Sequence, residues 1–351
     1  MKLGLLLPTN VYFCPYASIY SRLLDEWRVD YDIICWDRAG TVEKADFIFH
    51  LKVTASDSFF KKLYCYFRYT RFIEKCVKRE KYDKLIVFTP QIAIFLYPFL
   101  KKHYRNKFIL DYRDLSFEQR FMKTYKKILS ISSLNSISSP AFQKCLPKEF
   151  NYVVSHNINE YLVRDSLTKN YEDRNSCRLK VLTIGTIRDL DQNIEVMDAL
   201  ANNPYFQVEF VGKSDLSNII RNYATEHKIS NAYFIGFYQK EEEGRYIEDC
   251  SFMNIYYPRK ISHDTALSNR FYNALIFCKP MIVTKNTIQG DLAEKYGVGI
   301  AIDNCETLAD KLLQYRTQFN VEAYMKGRNQ LLSEILEQQD EFKLSVNNFI
   351  K

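Results

Sequence analysis

The sequence predicts an α/β protein built from two successive doubly wound domains. Short apolar segments alternate with longer helical patterns, and this alternation stops at a polar stretch and then restarts. The chain has 351 residues, enough for two domains of ordinary size, and 47% of them are hydrophobic, enough for large cores. We therefore expect two parallel sheets, each with helices on both faces.

The first half of the chain has the pattern of one parallel sheet. Its predicted strands are Leu3–Leu7, Asp32–Trp36, Phe47–Leu51, Leu85–Phe88, Phe108–Asp111, Ser136–Ser138 and Tyr152–Ser155. The predicted helices between them are Ser18–Trp27, Phe59–Lys81 and Ile92–His103. Alternation of strands and helices favours parallel pairing.

The second half repeats this pattern after a polar segment. We predict a first domain over residues 1–160, a linker over 161–178, a second domain over 179–335 and a C-terminal helix over 336–351 that can pack back on the first domain. The predicted strands of the second domain are Lys180–Ile184, Phe206–Val211, Tyr233–Ile235, Phe252–Tyr256, Met281–Val283 and Gly299–Ile302. Its predicted helices include Ile194–Ala201 and Leu216–Lys228.

Charge is divided unequally between the two halves. Residues 1–160 hold 26 Lys and Arg against 16 Asp and Glu, whereas residues 161–351 hold 23 against 26. The positive field therefore belongs to the first half, which suits an anionic surface or polymer. An uneven spread of surface lysines without a function explains the asymmetry equally well.

Cysteine usage and the lack of long apolar segments predict a cytoplasmic protein. The nine cysteines are odd in number and include no C-x-x-C pair, which favours buried free thiols over disulfides or zinc. The N-terminal apolar run is too short for a signal peptide, and no segment approaches the length of a transmembrane helix.

Glycines follow three predicted strands of the second half, at Gly185, Gly212 and Gly236. Ligands of open α/β sheets bind at the carboxyl ends of the strands. Glycine lets a ligand approach the backbone, and nearby cations such as Arg188 and Arg259 can neutralise phosphate. The pattern indicates a nucleotide diphosphate site, with simple turns as the alternative.

The segment from Ser268 to Thr284 predicts a helix that ends at Lys279-Pro280 and leads into a strand. A helix N-terminus offers backbone N–H groups and a positive dipole end to an anion. Arg270 and Asn273 are three residues apart and share one face of the first turn. This helix is therefore a second candidate element of the diphosphate site.

The run from Asn269 to Leu275, followed by Cys278-Lys-Pro-Met-Ile-Val283, resembles the donor-site helix of GT-B glycosyltransferases. The resemblance is to the large retaining group called family 4, of the capsule and O-antigen type. It implies the GT-B fold, in which two Rossmann-like doubly wound domains face an interdomain cleft.

Three further motifs carry the resemblance. Gly185–Arg188 is similar to the first turn of the family's C-terminal domain, whose basic residue holds the sugar-nucleotide pyrophosphate. Asp111-Tyr-Arg-Asp114 is similar to its Asp-x-Arg-Asp, and Ser155-His-Asn157 to the His-Asn that closes its N-terminal domain.

The sequence also departs from the family pattern. Asn273 stands where the family carries the glutamate that binds the nucleotide ribose. The amide of asparagine can hydrogen-bond to a hydroxyl, but it carries no charge. The family's second basic residue is missing, because residues 189–193 read Asp-Leu-Asp-Gln-Asn. The glycine pair after the first strand is replaced by the segment from Pro8 to Pro15.

The resemblance implies transfer of a sugar from a nucleotide-diphosphate donor, expected to be a UDP-sugar, with retention of configuration. The acceptor would be a glycan or a polyprenyl-diphosphate-linked glycan in surface polysaccharide biosynthesis. The implied donor-binding residues are Gly185, Arg188, Gly212, Arg259, Arg270 and Asn273. The catalytic candidates are Asp114, His156 and His263, and the acceptor-side candidates are Asn10 and Arg113. No cofactor is expected, because the nucleotide sugar is a substrate.

The candidate acid–base residues each have a structural alternative. Asp114 follows a predicted strand and can act as a base, or it can form a buried pair with Arg113. His156 and His263 are more often surface residues in such loops. Asp189 and Asp191 form an Asp-x-Asp, but their place before a helix favours capping over metal binding, so no metal is expected.

The segment Phe59–Lys84 predicts a basic, aromatic-rich helix. It carries nine Lys and Arg residues interleaved with aromatic side chains. Such a helix suits an anionic membrane surface and a peripheral location on its inner face, or it is a solvated helix whose aromatics face the core. No nucleic-acid partner is expected, because no nucleic-acid-binding motif accompanies it.

Two other classes of function fit the same fold. The first is a non-catalytic GT-B protein that binds a sugar nucleotide or serves as a scaffold, which Asn273 and the missing basic residue favour. The second is a sugar-nucleotide epimerase. A nicotinamide dehydrogenase is disfavoured, because no G-x-G-x-x-G follows the first strand of either half.

Overall fold

The computed structural model describes residues 1–41, 44–54, 56–115, 117–172 and 178–351. It divides into two compact units, described separately below. The first domain comprises Met1–Asn159 together with Glu337–Lys351, and the second domain comprises Glu160–Leu336.

The first domain contains a seven-stranded sheet whose neighbouring strands run parallel. The strands are β1 (Lys2–Leu6), β2 (Asp30–Asp37), β3 (Phe47–His50), β4 (Lys84–Phe88), β5 (Phe108–Tyr112), β6 (Leu134–Ile137) and β7 (Val153–Val154). Their order in the sheet is β3-β2-β1-β4-β5-β6-β7, which reverses direction at β1 as in a doubly wound fold.

Helices connect these strands. They are α1 (Ala17–Glu26), α2 (Phe59–Glu80), α3 (Pro90–His103) and α4 (Met122–Leu129), with short 3₁₀ turns at Val11–Phe13, Phe117–Phe121 and Pro140–Lys144. The core includes Leu3, Tyr20 and Phe88, and Phe342 and Val346 from the end of the chain pack into the same cluster.

The second domain contains a six-stranded parallel sheet. Its strands are β8 (Leu179–Ile184), β9 (Phe206–Val211), β10 (Ala232–Ile235), β11 (Phe252–Ile255), β12 (Met281–Thr284) and β13 (Gly299–Ile302), in the order β10-β9-β8-β11-β12-β13. The order reverses at β8, so β8 and β11 flank the switch point where doubly wound sheets bind ligands.

The remaining helices follow in chain order. They are α5 (Glu160–Ser166), α6 (Leu190–Ala199), α7 (Ser217–Glu226), α8 (Glu243–Glu248), α9 (Ile261–Thr265), α10 (Asn269–Ile276), α11 (Ile288–Tyr296), α12 (Leu308–Gln318) and α13 (Val321–Ile350), with a 3₁₀ turn at Lys240–Glu242.

The segment predicted as an irregular linker over 161–178 begins as helix. Helix α5 extends to Ser166, because Val163 and Ser166 are buried and the Ser166 carbonyl accepts a bond from the buried Arg328 side chain at 2.8 Å. The terminal helix is also longer than the predicted tail, since α13 begins at Val321.

Most of the cysteines described are buried free thiols, as the sequence predicts. Cys14, Cys35, Cys65, Cys76, Cys250, Cys278 and Cys305 are buried, Cys145 is half-buried, and Cys177 lies outside the described residues. Among the helices of the described ranges, we find none long and apolar enough to span a bilayer.

The carboxyl ends of β8 and β9 meet through glycine backbone. Gly185 and Gly212 both have positive φ, at 96° and 133°. A Cβ atom on Gly212 would lie 2.0 Å from the Gly185 carbonyl oxygen, which is far inside van der Waals contact. Only glycine therefore fits at position 212, and the two turns are packed against each other.

We expect Gly212→Ala to destabilise the second domain by about 2–5 kcal/mol, because it adds both a backbone clash and positive-φ strain. Gly236→Ala is the matched control, since a Cβ there meets no atom within 4 Å. It should change stability by less than about 1 kcal/mol. Urea unfolding of both variants checks this, and equal stability of the two would contradict the packing argument.

Candidate functional site

Arg270 binds the end of β8 and thereby joins the predicted donor helix to the glycine turn. Its Nε donates to the Ile184 carbonyl at 2.6 Å, and its Nη2 donates to the Thr186 carbonyl at 3.1 Å. Its guanidinium also lies 5.8 Å from the ring centre of Tyr257, which follows β11. Arg270 therefore spans the switch point and places positive charge at the carboxyl edge of the sheet.

The N-terminus of α10 is capped within the protein. The Ser268 hydroxyl accepts a hydrogen bond from the Phe271 N–H at 3.3 Å. The Ser268 N–H and hydroxyl both donate to Gln289, at 3.0 and 2.8 Å. These bonds fix the start of the helix that carries Arg270 and Asn273.

The other two predicted phosphate-binding arginines differ in their surroundings. Arg188 is exposed, and no hydrogen bond or ion pair within the described ranges holds its guanidinium. Arg259 pairs with Asp264 at 3.0 Å and also donates to the Lys285 carbonyl at 3.3 Å. Arg188 is therefore available to a ligand, whereas Arg259 would have to exchange a partner.

Asn273 contacts a carboxylate that the sequence analysis missed. Its Nδ2 donates to Glu243 Oε2 at 3.3 Å, and the Tyr238 hydroxyl donates to Glu243 Oε1 at 2.9 Å. Glu243 belongs to a run of three glutamates with no motif around it, so the sequence offers no signal that distinguishes one of them.

His263 lies in α9 and is half-buried. Its Nδ1 is 3.2 Å from the Pro258 carbonyl oxygen, and its ring packs at a tilt of 44° against Tyr257, with ring centres 5.5 Å apart. It therefore shares Tyr257 with Arg270, within the loop that follows β11.

Asn10 is buried in the first domain and holds a loop. Its Nδ2 donates to Asp37 at 2.8 Å, and its Oδ1 accepts from the Arg38 N–H at 3.0 Å. Burial raises the pKa of Asp37, but bonds from Asn10, His50 and the backbone outweigh it and lower that pKa to about 2. The amide of Asn10 thus orders the loop that follows β2.

The predicted alternative for Asp114, a buried pair with Arg113, is wrong. Asp114 is exposed, and the buried Arg113 instead forms a bidentate pair with Asp111, with Nη2 to Oδ2 at 2.6 Å. Tyr20 donates to the same carboxylate at 2.5 Å. Arg113 pairs with Asp111 because both side chains are buried, and Asp111 is a fully buried residue of β5 where an unpaired charge would be costly.

Arg113 also holds the loop after β7. It donates to the carbonyl and the hydroxyl of Ser155, each at 2.9 Å, and its guanidinium lies 5.0 Å from the ring centre of Tyr16. These contacts give Arg113 a structural role in the first domain.

His156 is fully buried in the first domain. Its Nε2 is 2.7 Å from Gln338 Oε1, and its backbone N–H donates to Gln339 at 3.1 Å. Burial is the main reason that the pKa of His156 falls to about 4, and the nearby Arg113 lowers it further. The ring is therefore neutral near pH 7.

The side chain of Asp189 does not cap α6 within the described residues, contrary to the expected capping role. The Asp189 carboxylate lies 3.9 Å from Lys260 Nζ, and Asp191 lies in the first turn of α6. Within the part of the chain that the structure describes, we find no group of three or more His, Cys, Asp or Glu side chains that could hold a metal ion.

Solved structures resemble this chain over its whole length. A sucrose-phosphate synthase from Thermosynechococcus elongatus matches with a TM-score of 0.69 at 12% identity, covering 100% of this chain and 98% of that one. A glycosyltransferase from Rickettsia africae matches with a TM-score of 0.68 at 10% identity, with the same coverage. Anabaena HepE in complex with UDP matches with a TM-score of 0.65 at 13% identity, covering 99% and 100%.

At these identities the likeness shows the fold, and the predicted GT-B class with two Rossmann-like sheets is confirmed. No family model matches the sequence, and no curated protein matches it. The structures found do not single out family 4 among GT-B glycosyltransferases.

The depressed pKa of His156 predicts a pH-dependent stability. Its pKa is near 6.5 in the unfolded chain and about 4 in the folded chain. Between these two pH values, His156 is protonated in the unfolded chain and neutral in the folded chain. Folding stability should thus fall by about 2 kcal/mol from about pH 7 to about pH 5 because of this residue.

His156→Gln should remove this part of the pH dependence, since the glutamine amide can hydrogen-bond to Gln338 but does not titrate. His227→Gln, at the exposed end of α7, is the matched control and should keep the wild-type slope. Urea midpoints at the two pH values check this. An unchanged slope in His156→Gln would exclude the assignment.

Proposed function

We propose that this chain is a glycosyltransferase that moves a sugar from a nucleotide-diphosphate donor, a UDP-sugar, to a glycan or polyprenyl-diphosphate-linked acceptor. The observation that carries the proposal is the carboxyl edge of the second sheet. There, Arg270 and the glycine turn at Gly185 converge at the switch point, with the exposed Arg188 on the same loop. The GT-B fold supports the same class.

The donor diphosphate would lie against this edge. Gly185 lets the phosphates approach the backbone, and Arg188 and Arg270 supply positive charge where the leaving diphosphate gains negative charge. Because basic side chains can stabilise the leaving group, we propose a metal-independent reaction. Retention of configuration and a role in capsule or O-antigen synthesis rest on the family-4 resemblance alone.

On the acceptor side, Asp114 is the candidate base. It is an exposed carboxylate just beyond β5, whereas Asn10, Arg113 and His156 are buried and bonded within the first domain. A general base must reach the hydroxyl that it deprotonates. We therefore assign those three residues to the support of the acceptor side, and Asp114 to the chemistry.

Arg188→Ala should lower kcat/KM for sugar transfer by about 10–100-fold, because it removes a charge-assisted bond to the diphosphate while leaving the described packing intact. Lys228→Ala is the control, since Lys228 is an exposed cation in the turn before β10, at the opposite edge of the sheet. Transfer is measured as UDP release with labelled sugar followed into the acceptor.

The same assay separates the competing functions. UDP release that depends on Arg188 supports the transferase. An isomerised nucleotide sugar formed with donor alone would identify an epimerase instead, and donor binding without release of UDP would identify a non-catalytic binder.

We also propose that the first turns of α2 dock on an anionic membrane surface. Phe59, Phe60, Leu63, Tyr64 and Phe67 are 40–80% exposed and share one face of the helix. Exposed apolar residues clustered in this way mark an interaction surface.

Cations accompany these aromatic side chains. Arg68 donates to the Tyr64 hydroxyl at 2.9 Å, and the Arg71 guanidinium lies 5.2 Å from the ring centre of Phe67. Aromatic rings flanked by basic groups suit the headgroup region of anionic lipid. The opposite face of α2 is the one that packs on the core, since Cys65, Tyr69 and Ile73 are buried.

The double variant Phe60→Ser/Tyr64→Ser should weaken binding to vesicles of phosphatidylglycerol and phosphatidylcholine by about tenfold or more, because two exposed rings lose their burial in the interface. Leu162→Ser/Leu344→Ser removes exposed apolar groups elsewhere and should bind like wild type. Co-sedimentation measures binding. Equal binding to vesicles of phosphatidylcholine alone would argue against the anionic surface.

A further inference from the structure

Glu243 is the centre of a polar cluster, made with Tyr238, Lys240 and Asn273, at the edge proposed for the donor. Its side chain is 15% exposed, so most of the carboxylate is shielded from water. Three donors hold it: the Tyr238 hydroxyl at 2.9 Å, Asn273 Nδ2 at 3.3 Å and the ammonium of Lys240. The carboxylate is therefore fixed in position before any ligand arrives.

The packing of α8 explains why Glu243 reaches α10. Gly244 follows it, and a Cβ on Gly244 would lie 3.2 Å from the ring of Phe277, the residue that ends α10. Glycine at this position permits the close approach of the two helices. Glu243 can then meet Asn273, which lies one turn earlier on α10.

The cluster borders the glycine turn after β8. A Cβ on Gly185 would lie 4.0 Å from the Tyr238 hydroxyl, which is ordinary contact distance. Arg270 binds the same turn through the carbonyls of Ile184 and Thr186. A ligand whose phosphates lie along this turn would thus have Glu243 within reach of a neighbouring group.

The chemistry of a carboxylate decides which group that is. Glu243 would repel the diphosphate, so it must face a neutral part of the nucleotide that donates hydrogen bonds. An ionised carboxylate is an acceptor only, with about four lone-pair sites, and the three internal donors leave capacity for more. A pair of vicinal hydroxyls matches two carboxylate oxygens, and in a nucleotide that pair is the ribose diol.

We propose that Glu243 binds the ribose hydroxyls of the donor nucleotide and makes the protein selective for ribonucleotides over 2′-deoxyribonucleotides. Asn273 and Tyr238 are positioning residues that hold its carboxylate in place. The inference rests on the proposed donor site, and it gives that site a specificity determinant from a different element than the predicted donor helix.

The test compares the Kd values of matched ribo- and 2′-deoxyribonucleoside diphosphates by calorimetry. UDP, GDP and ADP are titrated first, and the tightest of them is paired with its 2′-deoxy form. Wild type should prefer the ribonucleotide by about tenfold or more, since a charge-assisted bond is lost in the deoxy form. Glu243→Gln should lose most of that preference, because it weakens the ribonucleotide strongly and the deoxynucleotide, which keeps only the 3′-hydroxyl, less.

Controls separate recognition from structural support. Glu241→Gln changes an exposed glutamate two residues away and should keep the wild-type preference. Glu243→Asp keeps the negative charge but moves the carboxylate back by one methylene group, and it should also reduce the preference. Asn273→Ala should reduce it partly, because the carboxylate is then less firmly placed. A role limited to folding would weaken both nucleotides equally.

The outcomes distinguish this inference from the proposed function. Nucleotide binding with an unchanged ribo-over-deoxy preference in both Glu243 variants overturns the inference and leaves the donor site standing. Failure of the wild-type chain to bind any of the three diphosphates overturns the donor site, and with it the inference.

Discussion

The contact between the Gly212 and Gly185 turns is the constraint on which the candidate site depends. A Cβ at position 212 would lie 2.0 Å from the Gly185 carbonyl oxygen. The ends of β8 and β9 can therefore come this close only because position 212 has no side chain. The Gly185 N–H donates to the Val211 carbonyl at 2.9 Å, and Gly212 donates to the Ile235 carbonyl at 3.0 Å. Arg270 then binds the same turn, so the edge is held from two sides.

Positive and negative side chains at this edge come from different secondary-structure elements. Arginines from the loop after β8 and from α10 lie toward the glycine turn, whereas a glutamate from α8 lies beside the amide of Asn273. An anion and a hydroxyl-bearing group can therefore be recognised next to each other. Helix α10 carries no carboxylate of its own, and the Glu243 carboxylate lies beside Asn273 from the neighbouring helix α8.

The first domain uses its polar groups differently. Asp111, Arg113 and Tyr20 form a buried network, and desolvation makes it costly to remove any one partner from it. His156 is neutral for the same reason, since burial lowers its pKa to about 4. These residues fix the loops after β5 and β7, and leave Asp114 as the exposed carboxylate among the candidates.

The sequence by itself determined the fold class, because apolar runs and glycine turns are local signals that recur with each βα unit. It placed the strands to within about two residues, and it singled out Gly185, Gly212 and Arg270, which the structure brings to one edge of the second sheet. It did not find Glu243 or the pairing of Arg113 with Asp111, and it assigned all of α5 except Glu160 to a linker. Those features depend on contacts between residues far apart in the chain, such as Asn273 with Glu243 and Arg328 with Ser166. Only the tertiary structure decides them, since burial and partner choice are set by packing rather than by residue type.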